Sequence, residues 1–227
     1  MDSLIIDPVE FSVSQSALEK HLHLRNTKGE FERLFNEALA IAHPRAYYRT
    51  AYVDDHRPDG VTIEEVSFTS KVMAINLAKV YRVFPYVVTA GIELDAWINT
   101  QPDMLNQFLA DSIGVAVVEA AAKTVRKHVA ERYELGKSAS MNPGSLRDWP
   151  IENQAGLFSL FDGNAAKIGV RLTESFLMIP AKTVSGIQYL TEDSFESCQL
   201  CMRENCLGRR AAFNRDLYEK KYQLNVA

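Results

Sequence analysis

Three cysteines lie within nine positions near the end of the chain, at Cys198, Cys201 and Cys206, and the sequence has no others. Thiolates bind metal ions and iron–sulfur clusters, and a Cys-x-x-Cys pair is a loop tight enough for two sulfurs to reach one centre. The surrounding segment, residues 194–210, also contains arginines. Because nearby positive charge favours the thiolate form, the segment is a candidate metal or redox site.

Three interpretations of these cysteines remain open. The first is an iron–sulfur cluster, a [4Fe–4S] centre whose fourth iron has an open or external ligand position. The second is a zinc site completed by a His, Asp or Glu side chain. The third is a set of free thiols that are redox-active or simply packed. Three cysteines cannot supply four thiolates, so either metal site needs another ligand.

The composition is that of an ordinary globular protein, with 47% hydrophobic and 24% charged residues. The net charge of -4 argues against nucleic-acid binding, which usually requires a basic surface. No apolar run approaches the roughly 18 residues that span a bilayer. The first residues include Asp2 and Asp7 and lack the basic region of a signal peptide. We therefore expect a cytoplasmic protein that binds neither nucleic acid nor membranes.

The elements that must position any site are predicted from periodicity and capping signals. Capping-box spacings at residues 16–19 and 27–30 open two helices, and the second carries an apolar stripe that ends at Pro44. The longest predicted helix runs from Pro102 to about Tyr133. Strands are predicted within residues 46–68, 86–91 and 167–190, and a polar loop at residues 136–150. Without a regular βαβ alternation, this order favours an α+β fold with an antiparallel sheet.

Several separated blocks resemble the activation (reactivation) domain of cobalamin-dependent methionine synthase. They are residues 84–98 (FPYVVTAGIELDAWI), 142–146 (NPGSL) and 169–190 (GVRLTESFLMIPAKTVSGIQYL). The resemblance covers roughly residues 46–190 and is most specific at Leu-Thr-Glu-Ser, at the following proline and at Val-Ser-Gly. It implies a C-shaped α+β domain with a twisted antiparallel sheet flanked by helices. Residues 1–45 would then be a helical N-terminal extension and residues 46–227 the activation-like domain.

The resemblance also implies a function. Domains of this family bind S-adenosylmethionine (AdoMet) in a shallow groove and rescue cobalamin that has slipped to Co(II). An electron makes Co(I), and the sulfonium methyl of AdoMet traps it as methylcobalamin, so that methyl transfer draws an unfavourable reduction forward. The cofactors supply the chemistry, and the protein orients them.

The family groove is built on an Arg-x-x-Pro-Gly-Tyr stretch, which corresponds here to residues 140–145, Ser-Met-Asn-Pro-Gly-Ser. Ser140 therefore stands where the family has the arginine that binds the ligand carboxylate, and Ser145 stands where the family has the tyrosine. A neutral hydroxyl binds a carboxylate more weakly than a guanidinium does, so another cation is needed, with Arg147 and Lys137 as candidates. The cofactor-binding residues implied by the resemblance are Ser140, Asn142, Pro143, Gly144, Ser145 and Tyr189.

A corrinoid-binding signature, Asp-x-His-x-x-Gly, is only approximated by Asp54, His56 and Gly60, because the glycine comes one residue late. The favoured interpretation of this stretch is a hairpin turn with an exposed histidine. The corrinoid would then be carried by a partner, a corrinoid protein or a cobalamin-dependent methyltransferase.

Two functions follow from these features. The protein is either a reactivation or accessory module for a corrinoid partner, which binds AdoMet and donates methyl groups or electrons, or a non-catalytic docking module that has lost AdoMet binding. The sequence leaves open whether it is an enzyme.

Overall fold

The computed structural model describes residues 2–24, 28–203 and 209–224. Its helices and strands alternate irregularly, as the sequence predicts. The helices are α1 Gln15–His21, α2 Lys28–Ile41, α3 Lys71–Asn76, α4 Ile92–Asn99, α5 Met104–Arg132 and α6 Gln154–Ser159. The strands are β1 Ser3–Ile6, β2 Arg45–Arg49, β3 Ala51–Arg57, β4 Gly60–Ile63, β5 Val66–Thr69, β6 Arg82–Thr89, β7 Ser138–Met141, β8 Arg171–Leu172, β9 Met178–Ile179 and β10 Thr183–Leu190.

Strand β6 is the centre of an antiparallel sheet. β10 pairs with β6 along residues 183–189, so β2 and β3 share the opposite edge of β6. β1 extends the sheet beyond β2, β4 and β5 extend it beyond β3, and β7 pairs with β10 on the other side. Mixed α+β architecture with an antiparallel sheet flanked by helices is therefore confirmed.

The two faces of the sheet carry separate apolar clusters because successive side chains of a strand point to opposite faces. On one face, Tyr48, Phe84 and Tyr86 pack against the second half of α5. On the other face, Tyr47 and Val87 belong to a cluster that contains residues from α3, α6 and the chain after β10. This second face lies next to the candidate site.

Two strands were not predicted from the sequence. Residues 3–6 form β1, which pairs with β2 through main-chain hydrogen bonds. The predicted polar loop at residues 136–150 begins with β7, whose register pairs Ser140 with Gln188. Both strands are short and polar or edge-placed, so their side chains give little of the alternation that identifies a strand.

The N-terminal helices are part of the same core as the later elements. Phe31, Leu34 and Ala38 on α2 are buried together with Leu109 and Ile113 on α5. The predicted boundary between an extension of residues 1–45 and a domain of residues 46–227 stays a prediction.

None of the helices in the described ranges combines the length and the apolar character that crossing a bilayer requires.

Candidate functional site

The turn that follows β7 is anchored by one side-chain amide. Asn142 donates through Nδ2 to the backbone oxygen of Ser185 (2.5 Å) and to the hydroxyl of Tyr86 (3.2 Å). Both acceptors lie on strands of the central sheet, β10 and β6. The turn is therefore fixed to the sheet at the point where the chain leaves it.

The Val184-Ser185-Gly186 block makes that anchor possible. A Cβ at Gly186 would lie 2.5 Å from both Asn142 Nδ2 and the carbonyl oxygen of Met141. The hydroxyl of Ser185 donates to Oε1 of Gln154 at 2.7 Å in the buried interior. The block thus joins β10 to both ends of residues 142–154.

The loop after the turn is held in shape by its own backbone. Gly144 has a φ of +81°, which favours glycine, and its N–H donates to the carbonyl of Trp149 at 2.8 Å. Leu146 and Trp149 form an isolated antiparallel bridge. The loop is therefore compact, and Gly144 and Ser145 are exposed on it.

Asp148 fastens this loop to the start of α3. Its carboxylate accepts hydrogen bonds from the Ser70 hydroxyl and from the backbone N–H groups of Val72 (2.9 Å) and Lys71 (3.2 Å). The first N–H groups of a helix have no partner within the helix, and a negative charge there is favourable. Asp148 therefore performs a structural task at the edge of the site.

Replacing Asp148 with alanine is expected to lower the free energy of unfolding by about 1–2 kcal/mol, because three donors at the start of α3 lose their acceptor. Asp148→Asn keeps one acceptor oxygen and should lose less. Urea unfolding of both variants measures the difference. Asp216→Asn, an exposed carboxylate in the C-terminal segment, serves as the control and should be close to the parent. Equal stability of Asp148→Ala and the parent would contradict this role.

The cysteine segment forms a short 3₁₀ helix, Ser197–Leu200, after β10. Cys198 and Cys201 are partly buried free thiols, and the N–H of Arg210 approaches Sγ of Cys198 at 3.5 Å. The guanidinium of Arg209 donates to the carbonyl oxygens of Cys198 (3.2 Å) and Cys201 (3.0 Å). These bonds tie the two ends of the segment together. Cys206 lies outside the described residues.

A groove of about 990 Å³ lies between the loop after β7 and the cysteine segment. It is lined by Gly144, Ser145, Leu146, Arg147, Asp148, Pro150, Ile151, Glu152, Leu200, Cys201, Met202, Arg203, Tyr218 and Leu224. Two regions that the sequence singled out for different reasons therefore face the same space. The groove combines apolar walls with two guanidinium groups and the carboxylate of Glu152, and this combination suits a ligand with an apolar body and a zwitterionic end.

Not every predicted site residue lines the groove. Ser140 lies within β7, and Pro143 is buried. The ring of Tyr189 is 1% exposed in the core, and its hydroxyl has no hydrogen-bond partner among the described residues. Burial raises the pKa of this phenol well above its usual value. Lys137 donates to the backbone oxygen of Glu192 instead.

Other groove residues were not predicted from the sequence. Glu152 and Ile151 belong to a 3₁₀ turn that directly follows the predicted polar loop. Arg203 was noted only as a flank of the cysteines. No local signal places Arg203 opposite the loop after β7, because the two walls are about fifty positions apart in the chain.

No metal site is formed by the described residues: none of their His, Cys, Asp and Glu side chains assemble into a group of three that could hold an ion. Cys198 and Cys201 are the cysteines for which the structure gives positions. The iron–sulfur and zinc interpretations, which require Cys206, stay predictions.

His56 lies on β3, beside the hairpin that leads into β4. Its Nε2 lies 3.0 Å from the carbonyl oxygen of Leu77 and 3.1 Å from that of Val80, so this nitrogen carries a proton and donates. The ring also meets Tyr81 edge-on. The histidine is therefore only partly exposed, held by main-chain contacts that the sequence did not reveal.

Comparison with solved structures identifies the architecture. A crystal structure of the MetH reactivation domain bound to AdoHcy matches 86% of this chain and 80% of its own, with a TM-score of 0.59 and 17% sequence identity. The chain has the fold of the MetH reactivation domain. The resemblance seen in the sequence blocks is thus confirmed for the fold. Models of protein families and curated proteins, compared with the sequence, give no match.

Within the reactivation-domain fold, the sequence blocks that carry the resemblance have identifiable structural tasks. Thr173 N–H donates to the carbonyl of Leu177 (2.8 Å), and its hydroxyl accepts from Leu177 N–H (3.1 Å), so the Leu-Thr-Glu-Ser block forms the turn between β8 and β9. The Val-Ser-Gly block anchors the groove loop. Both blocks therefore shape the fold, and neither contributes a residue to the lining of the groove.

Proposed function

We propose that the groove binds AdoMet or its product AdoHcy and that the protein is a reactivation or accessory module for a corrinoid protein. One observation carries the proposal: in a chain with the reactivation-domain fold, an open groove begins at Gly144 and Ser145, where the resemblance puts the ligand motif. A related domain that binds AdoHcy supports the choice of ligand.

The groove residues fit such a ligand. The volume of the groove lies at the upper end of the range of about 300–1,000 Å³ typical of small-molecule sites. Ile151, Leu200 and Leu224 offer apolar surface to an adenosine group. Arg147 is an exposed guanidinium suited to a carboxylate, and Glu152 an exposed carboxylate suited to an ammonium group.

AdoMet, when bound, supplies an electrophilic methyl group. The tasks of this chain are to bind the ligand by its two ends, to orient it along the groove and to exclude water on the apolar side. The corrinoid is proposed to lie on the partner. The engagement of His56 Nε2 by two backbone carbonyls supports this, because that nitrogen is a donor and has no lone pair to offer cobalt.

Calorimetry with AdoMet tests the proposal directly. We expect micromolar binding by the parent and a loss of about tenfold or more for Arg147→Gln, the usual effect of removing a charge-assisted hydrogen bond. Arg171→Gln, an exposed arginine on β8 that does not line the groove, is the matched control and should bind as the parent does. No heat at millimolar AdoMet would contradict AdoMet binding.

A second candidate is the non-catalytic docking module. It is favoured by the sequence at the family motif, where Ser140 and Ser145 replace the arginine and the tyrosine. The two candidates differ in one assay: the corrinoid fragment of a methionine synthase, loaded with cob(II)alamin and a chemical reductant, is mixed with this protein. A reactivation module makes the visible spectrum of the corrinoid change only when AdoMet is added, whereas a docking module binds the fragment without an AdoMet-dependent change.

A further inference from the structure

We infer that Arg203, supplied by the cysteine segment, contacts the ligand's carboxylate together with Arg147 and makes the groove selective for nucleosides that carry an amino-acid end. This inference rests on the proposed function, and it assigns the specificity to a part of the chain that lies outside the family motif. The guanidinium of Arg203, on the opposite wall of the groove, replaces the positive charge that is missing at Ser140.

One guanidinium contacts several backbone carbonyls in and beside the cysteine segment. Arg209 donates to the carbonyl oxygens of Cys198, Cys201, Arg203 (2.5 Å) and Ala211 (3.0 Å). A guanidinium has five donors in one plane, so it can fix several carbonyls at once. The backbone of Arg203 is therefore fixed at the groove, while its side chain is exposed there.

The three arginines of this segment have different tasks. Arg209 is used on backbone carbonyls, and Arg210 pairs with Glu196 at 3.2 Å. For the side chain of Arg203, no hydrogen bond or ion pair to any described residue is formed. An exposed cation that lines a groove and has no partner in the described part of the chain is suited to an anionic ligand.

The carboxylates that line the groove do not pair with the guanidinium of Arg203. Asp148 is engaged at the start of α3 by three donors, so it does not neutralise the groove arginines by direct pairing. Glu152 has no ion pair among the described residues and supplies the opposite charge. A carboxylate and an ammonium group on one ligand carbon, as in an α-amino acid, match this combination of charges.

Two ligands that differ only in the amino-acid end test the inference. AdoHcy carries it, and 5′-methylthioadenosine keeps the adenosine and the thioether without it. By calorimetry, we expect the parent to bind AdoHcy at least about tenfold more tightly than methylthioadenosine, since charge-assisted hydrogen bonds are lost with the carboxylate. Arg203→Gln should weaken AdoHcy about tenfold and change methylthioadenosine by less than about twofold.

Two further variants sharpen the result. Arg203→Lys keeps the charge and should recover part of the AdoHcy affinity, although a lysine lacks the planar fork. Arg210→Gln removes a neighbouring exposed arginine that does not line the groove and should bind both ligands as the parent does.

The possible failures are distinguishable. Equal weakening of both ligands by Arg203→Gln, or no weakening of either, would overturn the role of Arg203 and leave the proposed function standing. Equal affinity of the parent for the two ligands would likewise overturn the selectivity. Failure of the parent to bind either ligand at millimolar concentration would overturn AdoMet binding itself, and the inference with it.

Discussion

Alanine at Gly186 is expected to lower the free energy of unfolding by about 2–3 kcal/mol and to weaken AdoMet binding in the proposed groove. The added Cβ would lie 2.5 Å from Asn142 Nδ2 and from the carbonyl oxygen of Met141, and a backbone oxygen cannot rotate away. Either β7 shifts relative to β10, or Asn142 gives up its hydrogen bonds to Ser185 and Tyr86. Both changes move the loop that begins at Gly144.

Gly29→Ala is the matched control. Gly29 lies in α2, and apart from its chain neighbours and the backbone of its own helix no atom lies within 4 Å of an added Cβ, so alanine there should stabilise the helix by about 0.5–1 kcal/mol. Thermal unfolding and AdoMet calorimetry give the two readouts. If Asn142 is the group displaced, the effects of Gly186→Ala and Asn142→Ala combine less than additively, because both remove the same anchor. Parent-like stability and affinity of Gly186→Ala would show that the anchor is dispensable.

Arg49→Met is expected to cost about 3–5 kcal/mol, because it breaks a buried ion pair from one side. The side chain of Arg49 is 4% exposed and lies 2.7 Å from Glu64 Oε2. It also donates to the carbonyl oxygen of Leu160 (2.7 Å) and to Asp162 (3.0 Å). Methionine fills similar space but leaves the Glu64 carboxylate and a backbone carbonyl without this donor. Urea unfolding measures the loss.

The control for this prediction is Arg33→Met. Arg33 also contacts two carboxylates, Glu30 and Glu37, each at 2.6 Å, but all three side chains are more than 40% exposed. Exposed ion pairs contribute little, so a much smaller loss is expected there. Adding Glu64→Gln to Arg49→Met should restore part of the stability by removing the unpaired charge. Equal losses for Arg49→Met and Arg33→Met would contradict a buried network.

These two predictions rest on contacts that no sequence pattern contains. Arg49 follows two tyrosines in a predicted strand, and its partners are 15 and more than 110 positions away. Gly186 belongs to a block that the sequence identified only by its resemblance to the family, and the reason for glycine appears only when β7 is placed beside β10. In both cases, the residue type was visible, whereas the neighbour that explains it was not.

The candidate site shows the same division. Gly144 and Ser145 were predicted from the family motif, and both line the groove. Tyr189 was predicted from the same resemblance, but its ring is buried in the core because β10 is an inner strand whose two faces are both covered. The sequence shows that Arg203 and Glu152 are charged, but it does not show that they line the groove. The tertiary position of each side chain, which the sequence does not give, decides whether it lines the groove.

By itself, the sequence determined the long helix α5, the antiparallel α+β class and the reactivation-domain fold, because apolar periodicity, capping residues and separated motif blocks are properties of neighbouring positions. Only the tertiary structure decided that the loop after β7 faces the cysteine segment, and that Arg147, Arg203 and Glu152 share one groove. The physical reason is that these groups are brought together by the β7–β10 pairing and by the hydrogen bonds of Arg209, which act between distant parts of the chain.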